Sequence, residues 1–500
     1  MIVKHILAIK FIFFYILFSF MLIGCSKPKT AVEKYEKVLE HFKNDELKYK
    51  AAKFLIENIG DKYAIIKVFE DSSGKDISNK LRGFRGGETQ EFLDSIKATS
   101  ASVVLPDSQV VSPDYLIKSI EEAFKNYNNN PLKIKVPFAT FCNFILPHRV
   151  GFEKVNDWRT YFNTRYTNYL KTFNKNKIND QFLISIFRQE QYIWYNYGAK
   201  FGLAAFIPSY NQTIETILEL KSPNNCEDIA VFYLYLYRSL GIPAAYEVIP
   251  FFGKFNAGHA ETAIMNKNGK FQPASLDDDP FKYQIAKMYR RIYEKVPNPY
   301  VLIKEAGEDP YNIPEYFNSD HLVDITNERT IVSDITIPIS TLNKKNKVAY
   351  LCVYNWGQWK PVAWAKLDRV NSTLTFKNMG RKILYQLVKI ENGIKLINSP
   401  FILDTLGTTI SFNGSNKYRS ITVSKFDRKI DITPKRVYVI KYWNETLSDW
   451  KIIKKEVAVS GSMVFHRIPE NILLKIEEEG YTGDPVRPFT ISASGEQIWW

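Results

Sequence analysis

Three side chains, in one order along the chain, could together do nucleophilic chemistry. Cys226 stands at the head of "CEDIAVFYLYLYRSLGIP", His259 opens "HAETAIM", and Asp277 leads the acidic triplet that closes "KFQPASLDDD". A thiol is a weak nucleophile until it loses its proton. A nearby imidazole can take that proton, and a carboxylate can fix the imidazole's tautomer and support its charge. The reaction open to such a set is acyl transfer at a carbonyl through a thioester. Taken singly, each residue has an ordinary reading: a space-filling buried thiol, a strand histidine, a solvated acidic turn.

The elements needed to position these groups can be read from the spacing. Ile229, Ala230, Tyr233, Leu236, Tyr237 and Leu240 form a helical stripe, closed by Gly241 and barred from continuing by Pro243. Cys226 then falls in the first turn, where unpaired N–H groups and the helix dipole favour a thiolate. After Gly258, the alternation from His259 to Met265 predicts a strand, and "NKNGK" a hairpin turn. The returning strand ends in Asp277, Asp278 and Asp279, which brings its far end back toward His259.

These segments resemble the transglutaminase-like superfamily, a papain-like cysteine fold. Its signature is a cysteine at a helix start, a helix ending in Arg-x-x-Gly-Ile-Pro (here Arg238 to Pro243), Gly-His-Ala, and an aromatic-x-Pro strand ending in aspartate. More narrowly, the chain resembles bacterial transglutaminase-domain lipoproteins, in which "FLIEN", "FCNFILPHR", "DWR", "MYRRIY" and "RPFTI…GEQIWW" have counterparts. The resemblance implies an α+β core, Cys226 as nucleophile, His259 as base, an orienting aspartate, and no metal or organic cofactor. Two positions depart from the pattern. Glu261 stands where tryptophan is usual, and the usual aspartate position falls on Ser275. Asp277, two residues on, points to the same face of a strand. Asp278 is the alternative, and a missing third member would weaken the site without abolishing it. Water as acceptor gives a peptidase or glycopeptide amidase; an amine gives a transglutaminase. The rival is a catalytically inactive surface protein that binds glycan or protein.

The rest of the chain frames this core. Its 500 residues suggest about three domains, and 15% aromatic content leans part of it toward sheet. Residues 1–24 carry Lys4, Lys10 and an apolar run ending in Leu-Ile-Gly-Cys, the pattern of a lipoprotein signal peptide with Cys25 as the lipidated residue. Ser26 points to the outer membrane, and the expected membrane partner is reached through the lipid. Removing the leader takes the net charge from +14 to +12 (14 − 2). The basic residues are scattered, and with an envelope address they give no nucleic-acid partner. Cys142, Cys226 and Cys352 show neither CxxC spacing nor histidines at zinc-site spacing, so no metal site is expected; a Cys142–Cys352 disulfide stays open. Arg149 and Arg159 read as structural.

Residues 25–195 read as a helical N-terminal region, including a helical stretch over 86–195, and 196–320 as the core. Leu39, Phe42, Leu47, Ala51, Phe54 and Leu55 form one stripe near the start. Residues 321–405 and 406–500 read as two antiparallel β-sandwich modules. Tyr350, Tyr354, Phe376 and Phe401 recur as Tyr438, Tyr442, Phe465 and Phe489, offset by 88 or 89, with Trp359 recurring as Trp450. Trp499 and Trp500 read as an exposed cap. The expected substrate is a protein, peptide or glycopeptide, with the sandwiches suited to glycan binding.

Overall fold

The computed structural model describes residues 31–78, 80, 86–164, 226–274, 282–338, 347–412, 414, 416–444 and 446–500. The leader, Cys25, Ser275, Asp277, Asp278 and residues 196–225 of the core lie outside these. The architecture is mixed α/β with many antiparallel sheets, and strands dominate the C-terminal half. Among the described residues no helix is long and apolar enough to cross a membrane.

The first core is helical. Helix α1 (Ala31–His41) and α2 (Glu46–Asn58) pack with a later helix, α3 (Pro113–Asn128), and with α4 (Phe138–Phe144) around Tyr35, Phe42, Leu55, Leu116, Ile120 and Phe141. Asp45 caps α2 by accepting from the Lys48 N–H, and Ser112 caps α3 ahead of a proline in its first turn. Leu47 is 54% exposed, so it does not belong to the expected stripe. The turn between α1 and α2 resets the helical phase, and a single 3.6-residue period cannot be carried across it. The helical expectation for 86–195 fails at 99–106, and its last part, 165–195, lies outside the described residues. Between α2 and α3 the chain forms the antiparallel pair β1 (Tyr63–Glu70) and β2 (Thr99–Pro106). β-branched and short polar residues in "TSASVVL" suit a strand better than a helix.

Helix α5 (Cys226–Ser239) follows. Phe232 to Tyr237 are all buried, so the helix is covered on every side rather than along one stripe. On one side Trp158 stacks on Tyr235 with centroids 4.4 Å apart, and Phe162 meets Phe232 edge-on. On the other lies a five-stranded antiparallel sheet ordered β5–β4–β3–β6–β7: β3 (Ala244–Ile249), β4 (His259–Met265), β5 (Phe271–Pro273), β6 (Tyr289–Arg291) and β7 (Leu322–Asp324). Each such fully buried large side chain contributes about 1.5–3 kcal/mol of apolar transfer energy, so α5 anchors this part of the fold. A short helix, α6 (Pro299–Glu305), separates β6 from β7.

The C-terminal half repeats its topology. Strands β8 (Val332–Pro338), β9 (Val348–Asn355), β10 (Gln358–Lys366), β11 (Thr373–Gly380), β12 (Ile383–Ile390), β13 (Ile394–Leu396), β14 (Phe401–Leu403) and β15 (Thr409–Ser411) form a sheet ordered β10–β9–β12–β14–β15, with β13 on β12, and a separate β8–β11 pair. Next come β16 (Tyr418–Val423), β17 (Lys425–Asp427), β18 (Ile430–Asp431), β19 (Val437–Asn444), β20 (Asp449–Val457), β21 (Met463–Pro469), β22 (Leu474–Glu478), β23 (Phe489–Ile491) and β24 (Gln497–Trp499). They give β20–β19–β22–β23–β24 and a β16–β21 pair. In each copy the long sheet and the short pair share a core: Leu351, Val353, Leu374 and Phe376 in the first, Tyr438, Ile440, Phe465 and Phe489 in the second.

Two of the aromatic markers are not equivalent. Tyr350 and Tyr354 face out of the first core, into a cluster with Phe317, Trp443 and Trp500, whereas Tyr438 lies inside the second core and Tyr442 packs against it. The matching positions in β9 are Ala349, Leu351 and Val353, one residue away, because a one-residue slip moves a side chain to the other face. Trp359 and Trp450 do correspond, since each pairs across the ladder with the aromatic of its neighbour, Tyr354 and Trp443. Trp500 is 6% exposed and Trp499 is half-buried against Phe489, so neither is an exposed cap. β9 is buried on both faces, which erases the alternation expected of a strand with one wet side.

Candidate functional site

Helix α5 ends as its sequence requires. The Ile242 N–H reaches the Tyr237 carbonyl and the Gly241 N–H the Arg238 carbonyl, both at 3.0 Å, while Gly241 takes φ +71°. This is the paired closure that glycine permits. A Cβ on Gly241 would also lie 2.2 Å from the Asn126 carbonyl oxygen at the end of α3. Arg238 donates to the Ala244 carbonyl through Nε at 3.1 Å and Nη2 at 3.0 Å, tying the helix end to the start of β3. The Arg-x-x-Gly-Ile-Pro run is therefore a fastening between α3, α5 and β3.

The helix start meets β4. Thr262 Oγ1 donates to the Ala230 carbonyl at 2.6 Å, and one turn earlier the Ala260 N–H is near enough to the Cys226 thiol to pull its pKa down. Helix and strand thus run side by side, with the helix start near the beginning of β4. Both Cys226 and His259 are partly exposed. His259 pairs with Ile249 across the β3 ladder, and its ring lies 6.2 Å from the Phe252 ring, nearly parallel.

The approach to His259 is held from outside its own sheet. Asn355, at the end of β9, donates through Nδ2 to the carbonyls of Phe252, Phe255 and Ala257 at 2.9–3.0 Å. Arg487 reaches the Gly253 carbonyl at 2.7 Å and Asn256 Oδ1 at 3.2 Å. Gly258 itself admits no side chain, since a Cβ would lie 2.7 Å from the Pro250 oxygen. Both C-terminal β units thus grip the loop that delivers the imidazole.

Burial pushes the Cys226 thiol above its ordinary pKa. The N–H groups of Ala260, Cys226 and Glu227 pull it down, and the Glu227 carboxylate adds to the rise. The helix start therefore acts in the expected direction but is outweighed by desolvation. Burial also holds His259 below its usual 6.5. Both shifts favour an uncharged thiol and imidazole at rest.

Asp277, Asp278 and Ser275 fall outside the described residues. The β4–β5 ladder pairs Ala263 with Pro273 and Ile264 with Gln272, so it advances toward His259 as the chain advances toward Asp277. His259 lies four residues before Ala263, and Asp277 four residues after Pro273. Glu261 is partly buried on β4.

No model of a known protein family matches this chain, and no curated protein does either. The site therefore rests on its own residues.

A cavity of roughly 540 Å³ opens beside the helix start. Glu227, Tyr246 and Val248 line it from the core, Asp61, Lys62 and Arg149 from the N-terminal region, and Arg291 and His321 from further along the chain. Neither Cys226 nor His259 is on its wall. Within it Asp61, Asp320 and His321 come close enough to resemble a metal site. The Lys62 ammonium already lies 2.7 Å from Asp61 Oδ1 and 3.0 Å from His321 Nε2, and Lys295 lies 3.3 Å from Asp61 Oδ2. The protein's own cations fill the role a metal would play. Sequence reasoning had no reason to bring Asp61 and His321 together; they are 260 residues apart.

Arg149 and Arg159 are both buried and bound by the fold, and Arg149 also lines the cavity. Arg149 pairs with the buried Asp107 at 2.7 Å, and Arg159 donates to the carbonyls of Ile145, Leu146 and Pro147. Cys142 and Cys352 are free thiols in different cores, so the open disulfide does not form.

Proposed function

We propose that this chain is a cell-envelope lipoprotein, anchored through Cys25 at the outer membrane, whose transglutaminase-like core transfers acyl groups at amide carbonyls. The observation that supports the reading is that the N–H of Ala260, the next residue along β4 from His259, acts on the Cys226 thiol, the one partly exposed cysteine among the described residues. His259, neutral at pH 7, takes the thiol proton as sulfur attacks the carbonyl carbon. The carbon–nitrogen bond then breaks, and the imidazolium returns that proton to the leaving amine. Water or a second amine cleaves the thioester. The Cys226 backbone N–H, at the free end of the helix, would donate to the oxyanion. Asp277 would orient the imidazole; its distance from Pro273 along the chain equals that of His259 from Ala263 on the paired strand. The protein, peptide or glycopeptide substrate would be presented at the cell surface by the two β-sandwich modules.

The test is to incubate the protein with a peptide and glycopeptide library, quench in acid and weigh it. A mass increment on the peptide containing Cys226, absent in Cys226→Ala, supports acyl transfer. No increment from any library member favours the second reading, a binding protein. That reading draws on an apolar cleft of roughly 360 Å³ between the β units, lined by Ile402, Phe412, Ile421, Ile468 and Trp500.

A further inference from the structure

A sheet edge carries main-chain N–H and C=O groups with no partner, so it is a place where another chain can add a strand. Nearly every edge among the described residues is blunted. β5, β7, β13, β15, β17 and β24 are three residues long, and β18 is two. β10 carries Pro361 and a break in register beside it, and β20 carries Lys451, Lys454 and Lys455. The β8–β11 and β16–β21 pairs both break register and carry Asp334, Lys377, Arg419 and Arg467. The outer edge of β1 is filled by the chain itself. Its Ile65 N–H goes to the Phe152 carbonyl and its Phe69 N–H to Ser78 Oγ, both at 2.9 Å, and Arg149 donates to the Tyr63 carbonyl.

β2 has none of these protections. Thr99 to Val104 are all exposed, Val103 by 41% and Val104 by 54%. No charge falls between Lys97 and Asp107, the register with β1 is unbroken, and the one proline, Pro106, is the last residue. The ladder shows which groups face outward. The Asp107 N–H donates to the Lys62 carbonyl at 2.8 Å, so these two form a hydrogen-bonded pair. Bonded pairs alternate in an antiparallel ladder, so Ala64–Leu105, Ile66–Val103 and Val68–Ala101 are bonded too. Ser100, Ser102 and Val104 therefore aim their N–H and C=O groups away from β1. A two-stranded ribbon exposed in this way is marginal until a third strand joins it.

We propose that the free edge of β2 pairs antiparallel with β2 of a second copy of this chain, about a twofold axis at Ser102. In that register Ser102 meets Ser102 of the second copy, and Ser100 meets Val104 in both directions. Three residues with two outward groups each find partners at once, and the two ribbons become one four-stranded sheet. The neutral strand is suited to its own copy, because no like charges meet across the axis and small side chains lie beside branched ones.

A single strand pair is a small interface beside the roughly 1,200–2,000 Å² of a standard one, so the test uses covalent trapping. The full chain in detergent, with Cys226→Ala to remove the reactive thiol, carries Ser102→Cys, Thr99→Cys or Ser460→Cys and is treated with a short bismaleimide. In the proposed register Ser102→Cys thiols face each other, whereas Thr99→Cys thiols lie about 20 Å apart, six residues along two strands. A crosslinked dimer from Ser102→Cys, mapped by mass to residue 102 on both chains and lost when Ser100→Pro is added, supports the proposal. Ser100 donates nothing to β1, so the proline leaves the β1–β2 ladder intact. Should that variant not fold, excess synthetic peptide of residues 98–106 replaces it and must lower the yield. No dimer from Ser102→Cys, equal yields from Thr99→Cys or Ser460→Cys, or a dimer that survives both the proline and the peptide overturns it. So does capture of an unrelated extended peptide on β2 by a chain that gives no dimer.

Discussion

The backbone N–H of Ala260, the residue that follows His259 in β4, acts on the Cys226 thiol and pulls its pKa down against the effect of burial. It sets the start of α5 against a strand 34 residues further along the chain. It is backed one turn along the helix by the Thr262–Ala230 hydrogen bond. Beyond β4, Asn355 and Arg487 hold the loop that leads to His259. The C-terminal β units therefore contribute to the geometry of the site as well as to the molecule's bulk.

The three described cysteines differ in access. Cys142 and Cys352 are buried, and burial pushes their pKa values up, to about 12 for Cys142 and well above the ordinary value for Cys352. A disulfide-forming reagent should titrate one of these three thiols, Cys226, in the native protein and all three after denaturation. Peptide mapping of the labelled protein checks this. Rapid native labelling of Cys352 would mean that the core around β9 is not closed.

Gly241 is held by both conformation and space. Gly241→Ala should cost about 3 kcal/mol or more, since alanine is strained at φ +71° and its Cβ would strike the Asn126 carbonyl. Gly60→Ala, with open space around it, should change stability by less than about 1 kcal/mol. Chemical denaturation of both variants provides the comparison. Similar stabilities would show that the α3–α5 junction yields more readily than its geometry implies.

Acid should loosen the N-terminal region before it reaches carboxylate pH. His148 is fully buried; its Nε2 meets Asp107 at 2.8 Å and its Nδ1 has no partner. Burial holds its pKa below 6.5, against the pull of Asp107. A group with a depressed folded pKa supplies stability above its unfolded pKa and loses it as pH falls toward the folded value. Burial acts to raise Glu153, but Arg149, the Tyr235 hydroxyl and the Val150 N–H outweigh it and leave its pKa below 4.5, which adds a second loss at lower pH. The melting temperature should begin to fall below about pH 6.5, with a shallower fall between pH 6.5 and 5 in His148→Gln. Identical slopes in the two proteins would remove His148 from the explanation.

The local elements of the site were legible because each has a short-range signature. A cysteine ahead of an apolar run ending in Gly-Ile-Pro gave α5, and alternation around "NKNGK" gave β4, the turn and β5. The tandem repeat was legible too, but not its register. Tyrosines 88 residues apart lie on opposite faces, because the strands that carry them correspond at 89, as Asn355 and Asn444 do at the ends of β9 and β19. The β1–β2 pair was missed because its strands lie within a region of strong helical periodicity. The burial that raises the Cys226 pKa and the meeting of Asp61 with His321 are products of tertiary packing, and no local pattern encodes them.

The most direct test of the proposed Cys226–His259 pairing is the pH dependence of Cys226 acylation by an activated ester, compared between the native protein and His259→Ala. With His259 held below 6.5 and the thiol above its usual 9.0, the native rate should rise through an acid limb below pH 6.5 and level off between about 6.5 and 9. His259→Ala should lose the acid limb and acylate about 10²- to 10⁴-fold more slowly at pH 7, the range of a general base. Equal rates and matching profiles in the two proteins would contradict the pairing of this thiol with this imidazole.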